Sequence, residues 1–180
     1  AAGSEEEELI EEAAPDFSPV DLAKASALLE AAASRDDIAH AALRLARTSF
    51  GRAALFIVRE GRASGWDAFG EGINLPLLKS LLISLQQPSV FQLVYETKAH
   101  FLGKVPKGEV NTAFLQLLGG DPPKSVFLYP LLFRGRVVNL IYGDGGPGKN
   151  APVDVSDLLI LGPKIPQTFE RILRERRRPT

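Results

Sequence analysis

The chain has 180 residues, of which 45% are hydrophobic and 24% charged, and its net charge is −1 at pH 7. This composition is ordinary for one globular domain with tails, and a chain of this size buries roughly 70% of its unfolded surface. The near-zero net charge gives no overall attraction to nucleic acid, and no apolar run approaches the ~20 residues that a membrane helix needs. Because the chain has no cysteine, it can form neither a disulfide nor a thiol nucleophile. We therefore expect a cytoplasmic protein without nucleic-acid or membrane partners.

The N-terminal stretch is strongly acidic. Residues 5–12 contain six glutamates, interrupted only by Leu9 and Ile10, a pattern typical of a linker or a frayed helix. The chain has no methionine, and Ala1 to Ser4 resemble a vector-derived scar. We therefore expect a piece of a longer protein, in which residues 1–17 form an acidic linker or tail and residues 18–178 form a single domain.

Two helices are predicted at the start of this domain. Residues 18–21 (SPVD) combine a capping serine, an early proline and a carboxylate, which predicts a helix from there to about residue 33. Residues 34–37 (SRDD) begin a second helix that is expected to end near residue 50.

Strand and helix signals alternate through the middle of the chain. Residues 52–60 (RAALFIVRE) predict a strand, Gly61-Arg62 a turn, and residues 63–69 a second strand. The sequence then predicts an apolar helix over 75–87, a shorter helix over 90–97 capped by Pro88-Ser89, a short strand over 99–102 and a helix over 111–118.

The segment 124–144, KSVFLYPLLFRGRVVNLIYGD, contains two apolar runs joined by Arg134-Gly135, which predicts a β-hairpin. If these two residues form the loop, Phe133 lies opposite Arg136 and both faces follow by alternation. One face is predicted to carry Phe127, Tyr129, Leu131, Phe133, Val138, Leu140 and Tyr142. The other is predicted to carry Val126, Leu128, Pro130, Leu132, Val137, Asn139 and Ile141. Since both faces are apolar, we expect the hairpin to lie in mid-sheet with helices on both sides.

The C-terminal part predicts a glycine-rich loop followed by one helix that Asp154 caps. Pro163 and Pro166 are expected to kink or divide this helix, and the arginines near its end suit a helix C-terminus. The mixture of hairpins and helices predicts an α+β fold with a central antiparallel sheet and helices on both faces. We also expect the first and last helices to mediate self-association.

The chain resembles a GAF domain over about Ser18 to Arg176. YPLLFRGRVVNLIYGD is similar to the "vPL…g…iGvl.l" core of that family, and SVFQLVYETKAHFLGK resembles its short helix and the strand that follows. DVSDL resembles the acidic cap of its C-terminal helix. Asn139 stands where the family has a small glycine, and Pro163 and Pro166 interrupt a helix that is normally continuous. The resemblance implies a regulatory or sensory domain, with other domains of a longer signalling protein as partners and a homodimer as its assembly.

The sequence contains no convincing catalytic or metal-binding motif. Gly143 to Asn150 (GDGGPGKN) matches G-x-x-x-x-G-K but has Asn150 at the hydroxyl position and Pro147 within the loop, so we predict a plain loop. His40 and His100 are the only histidines, and neither has a second ligand at metal spacing. We therefore predict no metal, no cofactor and no catalytic residue, and we expect that the chain is not an enzyme.

A ligand pocket is the remaining candidate site. In the resembled fold, ligands lie between the sheet and the segment that links the second strand to the central hairpin. The residues expected to line such a pocket are Trp66, Phe91, Tyr95, His100, Tyr129 and Tyr142. Aromatic rings with polar ends suit a planar ligand, and they suit a filled core equally well. The leading hypothesis is therefore regulation through protein contacts, and the alternative is a sensor for a nucleotide-like small molecule.

Overall fold

The computed structural model describes residues 16–179. The predicted tail therefore lies almost wholly outside the described residues, which retain only its last two positions, Asp16 and Phe17. No helix in this part of the chain combines the length and apolar character needed to cross a membrane.

A six-stranded antiparallel sheet forms the centre of the molecule, in the order β3-β2-β1-β6-β5-β4. Its strands are β1 (Arg52–Arg59), β2 (Arg62–Phe69), β3 (Leu82–Ser84), β4 (Phe101–Gly103), β5 (Val126–Phe133) and β6 (Arg136–Asp144). The β5–β6 hairpin lies inside the sheet, between β1 and β4, as both of its apolar faces require.

Helices cover both faces of this sheet. They are α1 (Leu22–Ala31), α2 (Arg35–Ala46), α3 (Leu75–Ser80), α4 (Val90–Thr97), α5 (Glu109–Leu118), α6 (Ser156–Leu161) and α7 (Lys164–Arg177). Helices α1, α2, α6 and α7 share one hydrophobic core with the sheet, and α3, α4 and α5 share a second core on the opposite face. The predicted α+β architecture is confirmed.

Several helix boundaries differ from the prediction, and the structure gives a physical reason for two of them. Helix α1 begins at Leu22 rather than near Ser18, because the extended residue Asp21 provides the cap and its Oδ1 accepts a hydrogen bond from the Lys24 N–H at 2.8 Å. The predicted helix over 75–87 ends at Ser80, and residues 82–84 form the edge strand β3, which pairs with β2. Periodicity did not separate these states, because leucine and isoleucine occupy seven of the eleven positions 75–85.

The hairpin contains a bulge that the sequence analysis did not predict. Phe133 lies opposite Arg136 and Leu132 opposite Val137, as expected, but the register then shifts and Leu131 pairs with Asn139. The extra residue, Val138, moves the rest of β6 to the opposite face. Tyr142 therefore packs in the α3–α5 core, whereas Tyr129 borders the α1–α7 core.

The C-terminal helix is divided at Gly162-Pro163, as the prolines predict. Pro166 lies in the first turn of α7, where backbone N–H groups have no carbonyl partner within the helix, so the N–H that proline lacks is not needed there. Gly162 lies so close to the sheet that an added Cβ would come within 2.3 Å of Tyr129 Cε1. This contact fixes the direction in which α7 leaves the joint.

Candidate functional site

An open groove of about 610 Å³ runs between α7 and the end of the sheet. Its sheet side is formed by the last residues of β1 and by the tip of the β5–β6 hairpin, and its other side by α7. The residues that line it on the sheet and on α2 are Arg35, Ile57, Val58, Arg59, Phe133, Arg134, Val138 and Asn139. Those contributed by α7 are Pro166, Phe169, Glu170, Ile172, Leu173, Arg174, Arg176 and Arg177.

The floor of the groove is apolar and rigidly supported. Ile172 is buried, and the ring of Phe169 packs on Trp66 with 5.3 Å between ring centroids. The buried amide of Asn139 donates a hydrogen bond to the Phe56 carbonyl at 3.2 Å, so this polar side chain is satisfied within the floor. Leu173 stays 48% exposed and offers apolar surface at the edge.

Arginines form the rim. Six of the groove residues are arginines, and the only carboxylate among them is Glu170. Glu170 accepts hydrogen bonds from Arg174 and from Arg134, the latter at 3.2 Å, and chiefly the first of these lowers its pKa. Arg35 lies over the Trp66 ring at 5.8 Å. Within residues 16–179, Arg59, Arg176 and Arg177 form no ion pair.

Helix α7 is joined to α1 by side-chain hydrogen bonds. The Arg171 guanidinium donates to the Leu29 carbonyl at 3.1 Å and to the Ala32 carbonyl at 2.8 Å, and thereby satisfies the C-terminal end of α1. The Lys164 ammonium donates to the Ser26 hydroxyl at 3.3 Å. The first and last helices of the described chain therefore form one layer with α6.

A second polar arrangement is fully buried at the far end of β1 and β6. The guanidinium of Arg52 and the carboxylate of Asp144 are 1% and 0% exposed, and they form two close hydrogen bonds of 2.9 Å. Arg52 also donates to the Gly119 carbonyl at 3.0 Å, while Asp144 accepts from the Tyr142 hydroxyl and, at 2.7 Å, from the Gly146 N–H. This network fixes the end of α5 and the glycine-rich loop to the sheet.

This buried network holds structural elements together. The pKa of Tyr142 is raised well above its ordinary value of 10.0, first by burial and then by the neighbouring Asp144 charge, so the phenol stays protonated and donates. This pair was not predicted, because Arg52 and Asp144 are far apart in sequence and lie at strand ends, where charged residues are usually solvated. Their register, with Arg52 directly opposite Asp144, is what brings them together.

The sheet divides the six predicted pocket residues between its two faces. Phe91, Tyr95 and Tyr142 pack in or against the α3–α5 core. Trp66 and Tyr129 belong to the α1–α7 side, where Tyr129 donates to the Leu159 carbonyl at 3.1 Å. His100 is exposed, with its ring 6.4 Å from that of Tyr129. The six do not line one cavity: the sheet separates Trp66 from Phe91 and Tyr95, and the bulge at Val138 separates the two tyrosines that were expected on one face.

His40 and the glycine-rich loop lie apart from the groove. His40 is half-exposed, and its Nε2 is 3.9 Å from Asp67 Oδ2. In the loop, Lys149 N–H donates to the Gly146 carbonyl at 3.1 Å, and Lys124 N–H donates to the Lys149 carbonyl at 2.8 Å. The next helix, α6, begins only at Ser156, so the lysine is not followed by the helix N-terminus that a phosphate loop requires.

Comparison with known proteins identifies the fold. No family model and no curated protein matches the chain. Among solved structures, a GAF domain from a phosphoenolpyruvate-protein phosphotransferase of Coxiella burnetii matches with TM-score 0.67 and 14% identity, over 86% of this chain and 92% of that one. Residues 122 to 287 of a methyl-accepting chemotaxis protein match with TM-score 0.68 and 12% identity, over 86% and 99% of the two chains. The predicted GAF-like fold is confirmed: the chain has the fold of GAF domains.

One similarity corrects the functional expectation. Free methionine-R-sulfoxide reductase from Neisseria meningitidis, solved with its substrate, matches with TM-score 0.62 and 17% identity, over 91% of this chain and 97% of that one. We predicted that the chain is not an enzyme, and this match contradicts that prediction because the same fold forms enzymes. A sequence that lacks the familiar catalytic motifs can still belong to a fold that forms enzymes, so the missing motifs do not establish the absence of activity.

Proposed function

We propose that residues 18–178 form a regulatory domain of a cytoplasmic signalling protein, which acts through contacts with other domains and through a homodimer. A GAF domain of a phosphoenolpyruvate-protein phosphotransferase and a segment of a methyl-accepting chemotaxis protein share this fold, and this similarity supports the regulatory role. The observation that carries the proposal is the joined layer of α1, α6 and α7. Because Arg171 ties α7 to the end of α1, a displacement of either helix acts on the other.

The same layer offers apolar surface for self-association. Ile160 on α6 and Leu173 on α7 are 53% and 48% exposed, and Leu22 and Leu28 on α1 are half-buried. Exposed apolar side chains on a helical surface favour association with another such surface. Phe169 and Ile172 are unsuitable probes of this contact, because Ile172 is buried in the domain core and Phe169 packs on Trp66. Charges there would unfold the domain rather than separate a dimer.

Sedimentation velocity over a concentration series tests the proposal. The chain should sediment as a dimer at the higher concentrations, and Ile160→Arg should shift it toward monomer. The matched control is Leu93→Arg, which puts the same charge on a 47% exposed leucine of α4, a helix that packs on the opposite face of the sheet from the α1–α6–α7 layer. A wild-type chain that stays monomeric throughout would contradict the homodimer, and equal effects of both substitutions would contradict the choice of surface.

Small-molecule sensing is the second hypothesis, and the placement of the predicted residues limits it. The group on the α3–α5 face, Phe91, Tyr95 and Tyr142, would have to act without Trp66 and Tyr129 on the other face. Tyr142 is also fully buried and already donates to Asp144, so its hydroxyl is occupied. A ligand on that face would therefore meet Phe91 and Tyr95 without the predicted hydrogen-bonding partner.

A further inference from the structure

The groove beside α7 combines two properties that one occupant must match. Its floor is apolar, with Ile57, Val138 and Phe169 among its residues, and its rim holds six arginines against one carboxylate. Guanidinium groups bind carboxylates in paired hydrogen bonds, so a rim of this kind suits several carboxylates spread along its length. A small ligand with a single acidic group would leave most of the rim unpaired.

Residues 5–12 of this chain have the complementary composition. Their sequence, EEEELIEE, provides six glutamates and an apolar pair, Leu9-Ile10, in the middle. The glutamates match the number of rim arginines, and the leucine and isoleucine offer the apolar surface that the floor would bury.

The tether also allows this contact. The ring of Phe17 lies 5.7 Å from that of His40 on α2. Arg35, on the groove rim, is about 7.5 Å from His40 along the same helix, since an α-helix rises about 1.5 Å per residue. The five residues from Glu12 to Phe17 can span up to about 17 Å when extended. The acidic residues can therefore reach the groove of their own molecule.

We propose that residues 5–12 dock in the arginine-rimmed groove of their own chain. Bound there, the segment covers Leu173 and neutralises the rim, so it competes with any partner that approaches this side of α7. The docking does not require the proposed homodimer, with which it would compete for Leu173. Only its regulatory consequence, competition with a partner, rests on the proposed function.

The chain provides a direct reporter of this contact. Trp66 is its only tryptophan and lies against Phe169 and Arg35, which both line the groove, and there is no cysteine. In Ser4→Cys carrying a nitroxide, docking brings the quencher beside the groove. In an undocked segment the nitroxide would lie roughly 20 Å from Phe17 on average, which is the end-to-end distance of a flexible chain of 13 residues. We expect Trp66 emission about twofold lower with the nitroxide than with a diamagnetic label of the same shape.

Charge reversal on the rim is the deciding comparison. Arg176→Glu with Arg177→Glu should restore Trp66 emission, as should raised salt, because the contact depends on exposed charges. The matched control is Lys104→Glu with Lys107→Glu, an equal charge change at exposed residues next to β4, away from the groove.

Three results would overturn the proposal. The first is the absence of a difference between the nitroxide and its diamagnetic analogue. The second is equal restoration by the rim and control pairs, which would mean that general electrostatics holds the segment near the protein. The third is quenching that increases with protein concentration, which would place the segment on a second molecule. The measurement is made at concentrations where sedimentation shows only monomer, so it succeeds or fails separately from the homodimer.

Discussion

The carboxylate of Asp144 has no exposed surface, and three hydrogen-bonding groups depend on its charge. It holds Arg52 of β1, the Tyr142 hydroxyl and the N–H of Gly146. Asp144→Asn would leave the Arg52 guanidinium buried without a counter-charge, and breaking such a pair costs about 3–5 kcal/mol. We expect a loss of this size in the free energy of unfolding, measured with denaturant. Asp121→Asn, a change at an exposed aspartate, should stay within about 0.5 kcal/mol. Equal stabilities of the two variants would contradict a structural role for the network.

Asp67 makes a prediction about pH. Burial raises its pKa above the ordinary value of 3.8, while the hydrogen bond from the Ala68 N–H and, after it, His40 and Lys79 partly oppose the shift and Asp36 adds to it. A raised pKa means that the folded state holds the proton more tightly, so the stability from this group is complete below about pH 4 and is lost as pH rises. Asp67→Asn should therefore unfold like the wild type near pH 3 and be more stable than the wild type near pH 7. Denaturant unfolding at both pH values tests this, and an Asn variant less stable at neutral pH would show that the Ala68 hydrogen bond and the neighbouring cations outweigh burial.

These residues also show what a sequence can reveal about single side chains. A helix cap depends on partners about three residues away, and Ser34, predicted to begin α2, forms a reciprocal cap with Asp37. The cap predicted at Asp154 is wrong: Asp154 accepts hydrogen bonds from Ser156, and α6 begins after Val155 without a side-chain cap. The Arg52–Asp144 pair joins residues that are 92 positions apart, so it depends on strand register, which no local pattern encodes. The groove was missed for the same reason, since β1, the hairpin tip and α7 contribute to it from three separate segments.

At the scale of the elements, one bulge explains why Tyr129 and Tyr142 lie on opposite faces of the sheet. The hairpin, its loop and its position inside the sheet followed from the two apolar runs joined by Arg134-Gly135. The extra residue at Val138 did not, because both faces of β6 are apolar and a one-residue slip leaves the pattern unchanged. The alternation of side chains along a strand predicts which residues are buried on which face only where one of the two faces is polar.

The joint between α6 and α7 can be tested through Gly162. Its φ of −49° is helical, so alanine would be favoured there by intrinsic propensity by about 1 kcal/mol. The added Cβ would however lie 2.3 Å from Tyr129 Cε1 and 2.8 Å from Leu131 Cδ2, inside the packed core. We expect Gly162→Ala to destabilise the domain by about 1–3 kcal/mol, as overpacking does.

Gly103→Ala is the matched control for that substitution. Its Cβ would meet only the Phe101 ring, at 3.6 Å from Cζ and 4.0 Å from Cε1, which is ordinary contact. Thermal unfolding should therefore separate the two variants. A stabilised Gly162→Ala would show that α7 can shift away from the sheet, and the groove beside it would then be adjustable rather than rigid.

For the molecule as a whole, a net charge of −1 conceals two opposite regions. Six glutamates lie within residues 5–12, and six arginines surround the groove. Net charge alone would predict weak interaction with any polyelectrolyte, yet exposed charges act locally, over about 10 Å at 0.1 M salt. Whether the arginines are available therefore depends on what lies near them.

Neutralising the acidic residues in the full chain should reveal this difference. Replacing the six glutamates of residues 5–12 by glutamine raises the net charge from −1 to +5 without shortening the chain. We expect this variant to elute from a cation exchanger at higher salt than the wild type. In the glutamine background, Arg176→Glu with Arg177→Glu should lower the eluting salt more than Lys104→Glu with Lys107→Glu, because the clustered rim cations bind the matrix together. If both pairs lower it equally, retention follows net charge alone, and the arginine rim is not a concentrated binding surface.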